Sequence, residues 1–177
     1  MGKQKPVALY IFAILAIILG SLYLYTRPGT LDILYDFIDF GEIEMAGGTV
    51  RTFDGEDTVH VSTKWFLPGE PEYDRLLALV KDTEFNRSIK TLTPLPEVRR
   101  SPRLEEGMYC MEVMFSHEDG GFILRDYYGE LTIQFMDKGM SEEYIYVDDL
   151  SAWSTACRDL ILEIGHEQES IVVDTAA

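Results

Sequence analysis

Two cysteines and three histidines in a chain of 177 residues leave little from which to build a disulfide framework, a thiolate site or a zinc centre. Cys110 and Cys157 lack metal-ligand spacing, and His60, His117 and His166 form no HxxxH or HxH pair, so a metal site would have to be assembled from distant parts. A serine nucleophile would want a GxSxG turn, which is missing. Glu118-Asp119-Gly120-Gly121 lacks the alternating oxygen ligands of a calcium loop and reads as a hairpin turn. Positive charge is also scarce, at 15 Lys and Arg against 31 Asp and Glu, a formal charge of −16. A field of that sign repels nucleic acid and anionic surfaces, so nucleic acid is not an expected partner. No cofactor is expected.

What the chain does have is one long uncharged run, residues 7–25, VALYIFAILAIILGSLYLY, between MGKQKP and TRPG. Nineteen residues of helix rise roughly 28 Å, close to the ~30 Å hydrocarbon core of a bilayer. Tyr10 near one end and Tyr23 and Tyr25 at the other suit the headgroup level. A cleaved signal peptide would carry a shorter apolar region ending at small residues; here the run ends in Leu22-Tyr23-Leu24-Tyr25, which favours an uncleaved anchor. Lys3 and Lys5 precede the run, and after Arg27 no Lys or Arg follows until Arg51. The positive-inside rule then puts the N-terminus in the cytoplasm and the bulk of the chain outside. The expected plan is a cytoplasmic tip at 1–6, a transmembrane anchor at 7–25, a juxtamembrane segment at 26–40, an extracytoplasmic α+β domain at 41–166 and a flexible tail at 167–177. Beyond Arg27 there are 12 basic residues against all 31 acidic ones, a charge of −19.

Pro28-Gly29 breaks the helix. Leu31, Leu34 and Ile38 then recur at helical spacing, giving a short amphipathic helix that lies at the membrane face or packs into the domain. Three short alternating stretches follow: Ile43 with Met45, Val50 with Thr52, and Val59, Val61 and Trp65 with His60, Ser62 and Lys64 facing the other way. These read as antiparallel strands joined by turns at Gly47-Gly48 and Asp54-Gly55. Pro71 opens a helix to about Glu84 with an apolar stripe of Tyr73, Leu76, Leu77 and Val80. From Tyr109 onward, Met111, Val113 and Phe115 alternate with Cys110, Glu112 and Met114; Phe122 to Tyr128 returns; Leu131, Ile133 and Phe135, then Ile145 and Val147, complete a four-strand meander with one buried face. A last helix from 150 to 164 carries Leu150, Trp153, Cys157, Leu160 and Ile161 on one side. Cys110 falls opposite the core and Cys157 on a buried helical face, so both thiols are expected unpaired.

The irregular stretch from Ser88 to Arg103, broken by Pro94, Pro96 and Pro102, gathers basic residues with its neighbour: Arg87, Lys90, Arg99, Arg100 and Arg103. It is either a partner- or anion-binding loop, for phosphate-rich envelope polymers or an acidic protein, or a segment paired with the protein's own carboxylates. Tyr146-Val147-Asp148-Asp149 spells a polymerase-like YVDD, but the third carboxylate and basic cleft of that chemistry are missing, and the Asp pair is better placed to cap the last helix. Asn86-Arg87-Ser88 fits a glycosylation sequon, which matters only in a glycosylating pathway.

The order of parts, a basic tip, one anchor, a short-stranded α+β domain with a helix ending near Phe85-Asn86-Arg87, a meander and a closing amphipathic helix, resembles small single-pass membrane proteins of Gram-positive bacteria. The resemblance implies an envelope location and no particular activity. The expected function is a non-enzymatic, membrane-anchored binding or accessory module of the cell envelope. The alternatives are an extracytoplasmic hydrolase built on scattered carboxylates such as Glu112, Asp126 and Glu130, and a sensor subunit acting through a partner's cytoplasmic domain.

Overall fold

The computed structural model describes residues 5–53, 58–92, 108–136, 142–164 and 167–172. Helix α1 (Lys5–Thr26) carries the uncharged run. No residue of its Leu9–Thr26 window is fully buried, and it is long and apolar enough to cross a membrane. Just past the Pro28 break, Gly29 exchanges two backbone hydrogen bonds with Phe85, at 3.0 and 2.9 Å. The next turn, α2 (Leu31–Leu34), is a single turn of helix. Leu31, Leu34, Tyr35, Ile38 and Phe40 all belong to the main core, so the segment is packed into the domain, and the core begins well before residue 41.

Behind it stands an eight-stranded sheet, ordered β3-β7-β6-β5-β4-β1-β2-β8, with every pairing antiparallel. The strands are β1 (Met45–Phe53), β2 (Thr58–Phe66), β3 (Asn86–Arg87), β4 (Tyr109–His117), β5 (Gly120–Tyr127), β6 (Glu130–Phe135), β7 (Glu142–Tyr146) and β8 (Glu167–Val172). The expected α+β class and the β4–β7 meander are both present. Helices α3 (Pro71–Lys81) and α4 (Leu150–Ile164) pack on each other and on β1. Pro71 occupies the first turn of α3, where its missing N–H is no loss. At α4, Asp149 Oδ1 accepts from the Ala152 N–H at 2.9 Å, the capping role read for the YVDD pair. Trp153 of α4 donates from its indole N–H to the Leu79 carbonyl of α3 at 2.9 Å, and Tyr73 of α3 donates its hydroxyl to the Ile43 carbonyl at 2.6 Å. These bonds satisfy polar tips whose rings supply buried area.

Directly opposed residues of an antiparallel pair share a face of the sheet. Val50 opposes Met111, Val113 opposes Leu124, and Leu124 opposes Ile133; these form the buried face. Tyr35 and Phe37 reach Phe135, and Phe40 reaches Phe122, on that same face. All the described α-helical cover of the sheet is therefore on one side.

The first half of the sheet departs from expectation. Gly47 and Gly48 lie inside β1 and make no turn; the Asp54-Gly55 turn falls outside the described residues. A Cβ on Gly48 would stand 2.4 Å from Ile161 Cδ1 of α4 and 2.7 Å from the Glu112 carbonyl oxygen, so glycine here is what lets α4 approach the strand. On β2, Ser62 opposes Val50 and lies on the helix face, whereas Val61 opposes Arg51 and Trp65 opposes Gly47 on the open face. Residues 167–172, expected in a flexible tail, form β8 against β2: the strand edge offers unpaired backbone groups, and the segment takes them.

Candidate functional site

The face of the sheet opposite the described helices is organised in rows. Across β2, β1, β4, β5, β6 and β7 the middle row reads Thr63, Thr49, Glu112, Arg125, Thr132 and Tyr144. On one side of it lie Val61, Arg51, Cys110, Tyr127 and Glu130, and on the other Trp65, Gly47, Met114, Ile123, Gln134 and Glu142. At ~4.8 Å between strands, six strands make this face about 24 Å wide.

Glu112 is the hub. Its Oε1 accepts from Tyr127 Oη at 2.6 Å and from Arg125 Nε at 3.1 Å, and Arg51 Nη1 stands 3.7 Å from Oε2. Arg125 also donates to the Gln134 side-chain carbonyl. Thr132 donates to Glu142 at 2.8 Å, and the Thr49 and Thr63 hydroxyls share a hydrogen bond at 3.0 Å. Burial alone would raise the Glu112 carboxyl, but the Tyr127 hydroxyl and the Arg51 and Arg125 charges outweigh it and hold the group below the ordinary carboxylate range. Tyr127 is pushed up to about 12, by burial first and then by its bond to Glu112. Burial likewise raises the Cys110 thiol, against the lowering effect of Arg51. Glu112 is thus a fixed carboxylate, the wrong form for a general acid at neutral pH, and Cys110 is no activated nucleophile. Arg51, by contrast, is 36% exposed along its side chain. It keeps N–H donors in a planar fork suited to carboxylate or phosphate. Trp65, 40% exposed, lies against Gly47, whose missing side chain makes room for the indole. The face therefore offers planar donors and aromatic surface, a set suited to recognition.

The carboxylates named for a hydrolase do not converge. Glu112 is on the open face. Asp126 opposes Met111 on the helix face, buried, accepting from Ser154 of α4 and from the Gly129 N–H. Glu130, at the β5–β6 turn, pairs with Lys90 at 2.8 Å. Of the basic cluster, Lys90 makes that ion pair and Arg87 is turned inward: it donates to the Leu34 carbonyl and its guanidinium sits 4.3 Å from the Tyr35 ring centroid and 5.6 Å from that of Tyr25. Arg99, Arg100 and Arg103 lie outside the described residues. Cys110 and Cys157 are both free and buried. An open cleft of about 500 Å³ at the opposite end of the meander is lined by Glu42, Glu44, His117, Glu118 and Asp119 among others. Among the described residues no group of three His, Cys, Asp or Glu side chains is arranged to hold a metal ion.

Sequence reasoning missed Arg51, Arg125, Tyr127, Gln134 and the outward face of Trp65. A signal for part of this set was available. With a two-residue turn at Glu118-Asp119, counting outward from His117 and Gly120 puts Glu112 opposite Arg125, an ion pair across the strands. Comparison with family models, with curated proteins and with solved structures finds no match to this chain.

Proposed function

We propose that this protein is a membrane-anchored, extracytoplasmic binding module of the cell envelope, oriented with its N-terminus in the cytoplasm, and that the open sheet face is what it presents to a protein partner. One observation carries the reading: a six-strand face bearing Arg51, Arg125, Tyr127, Tyr144, Trp65 and Met114, residue types enriched at interface cores, stands opposite the face that the helices cover. The anchor is the second support, since no residue of the Leu9–Thr26 stretch of α1 is buried and its packing on the domain is confined to its last turn.

The orientation is tested with Ser151→Cys, an exposed position, in intact spheroplasts; Cys110 and Cys157 are buried and provide a low background. Labelling by a membrane-impermeant maleimide before lysis supports the external domain, and labelling only after lysis overturns it. The face is tested by photocrosslinking in cells from a benzophenone side chain at Trp65 or Met114, with Asp74 and Asp159 on the outer surfaces of α3 and α4 as comparison positions. Discrete adducts from the open face alone support the proposal. Adducts from the helix positions alone move the binding surface to the other side.

A further inference from the structure

The junction between anchor and domain carries a feature that neither the open face nor the core explains. Tyr25, in the last turn of α1, lies beside the Arg87 guanidinium, which also packs on Tyr35 and donates to the Leu34 carbonyl. Around these contacts three large aliphatic side chains point into solvent. Leu92, 54% exposed, follows Thr91; Ile89, 57% exposed, is in the same 3-10 turn; Ile33, 61% exposed, belongs to the helical turn that ends at Leu34. Helix α2 turns its other leucines, Leu31 and Leu34, into the core, so Ile33 is not exposed for lack of a place to pack.

We propose that Ile33, Ile89 and Leu92 seat the domain on the same bilayer that α1 crosses, dipping into its headgroup–acyl boundary and holding the β3–β7 edge of the sheet against the membrane. The occupant follows from continuity: these side chains flank the residue at which the apolar helix ends, and tyrosine at that level marks the interface. The acidic domain has no charge attraction to an anionic leaflet, but the anchor removes the need for one. A tethered surface meets the lipid at high effective concentration, so a few aliphatic contacts suffice. The geometry has a consequence for the open face. Strand β7 is at the membrane edge and β2 is five strand spacings away, about 24 Å, so Trp65 stands clear of the lipid.

The inference rests on α1 inserting in the bilayer, and the experiment separates the two. Full-length protein is reconstituted into nanodiscs, with and without lipid brominated near the headgroup. Failure to co-purify with the discs sinks the anchor itself. Given insertion, Leu92→Trp is expected to gain an emission component that brominated lipid quenches, while the native pair Trp65 and Trp153 in the unsubstituted chain is unquenched. The same Leu92→Trp reporter in an Ile33→Asp/Ile89→Asp background is expected to lose that quenching while Trp153 keeps its buried emission. No quenching of Leu92→Trp, or equal quenching of the native tryptophans, overturns edge-on docking.

Discussion

Gly48→Ala probes how closely α4 approaches the sheet, because the added methyl would sit 2.4 Å from Ile161 Cδ1 and 2.7 Å from the Glu112 carbonyl oxygen. Carbon atoms rest ~3.5–4.0 Å apart, so the helix side chain has to retreat by more than 1 Å or the β1–β4 pair has to open. Overpacking of that kind costs about 1–3 kcal/mol, roughly 2–12 °C in Tm at 2–4 °C per kcal/mol for a domain of this size. Ile161→Val removes Cδ1 and alone costs about 0.5–1.5 kcal/mol. In the double variant the methyl has lost its nearest obstacle, so the two costs should fall short of additivity by about 1 kcal/mol, beyond the ~0.5 kcal/mol scatter of independent sites. Relief is incomplete, since the Glu112 carbonyl is backbone. Gly47→Ala is the control: its methyl would meet Trp65 and the Lys64 carbonyl on the other face, and its cost should add to that of Ile161→Val. Urea unfolding of the three single and two double variants in mild detergent, followed by tryptophan emission, reads all of this. Additivity for Gly48 together with coupling for Gly47 would reverse the face assignment of β1 and refute the reasoning.

The pH dependence of stability should carry the signature of Glu112. Its folded carboxyl is held below its ordinary value, so its contribution is complete above the unfolded-state pKa near 4.3 and is lost as pH falls through the folded one. Glu112→Gln should lower stability at pH 7 and flatten the acid limb of a Tm-against-pH curve; an unchanged limb would remove Glu112 from the hub. Ser154→Ala strands the buried Asp126 Oδ2 and should cost about 1–3 kcal/mol, measured by the same unfolding assay. Both thiols should resist a thiol-disulfide reagent in the folded protein and react fully in denaturant, with Cys157 the slower under partial denaturation because burial pushes its thiol up to about 12. Fast native-state reaction of either would show that it is not buried as placed.

The parts of the fold legible in the sequence are those where side chains report their own surroundings. In β4, β5 and β6 the alternation is clean because the helix-face residues are large and apolar; α4 is bounded by a capping Asp149 and carries a continuous apolar stripe. The first hairpin misled for the opposite reason. In β1 the helix-facing position beneath Ile161 is Gly48, which has no side chain to report that it is buried, and its neighbour Gly47 completes a pair that looks like a turn. With the turn misplaced, the sidedness of β2 could not be fixed: alternation set Trp65 on one face with Val59 and Val61 but did not say which face the helices cover. The β5–β6 turn hid too. Tyr128 and Gly129 have φ of 57° and 83°, the signature of a type I′ hairpin, but a tyrosine in the first position does not announce it. Asp126 holds that turn by accepting from the Gly129 N–H, a local side-chain bond of the kind aspartate makes at turns.

The same carboxylate shows why residue type alone could not locate a site. Glu112 and Asp126 sit one register step apart on adjacent strands, since Glu112 opposes Arg125 and Met111 opposes Asp126. That single step sends them to opposite faces. One is tied to two guanidiniums on the open side, the other to a serine under α4, and neither can share a proton or a substrate with the other. A sheet one strand thick therefore separates what the sequence sets close together. It also separates two tasks: Asp126, Ser154 and Tyr109 join the meander to α4, whereas Glu112 orders the guanidiniums of the open face without serving the core. A substitution at Asp126 should then be read first in stability. One at Arg51, half out of the network already, should be read first in binding, and reversal of that pattern would place the recognition surface under the helices.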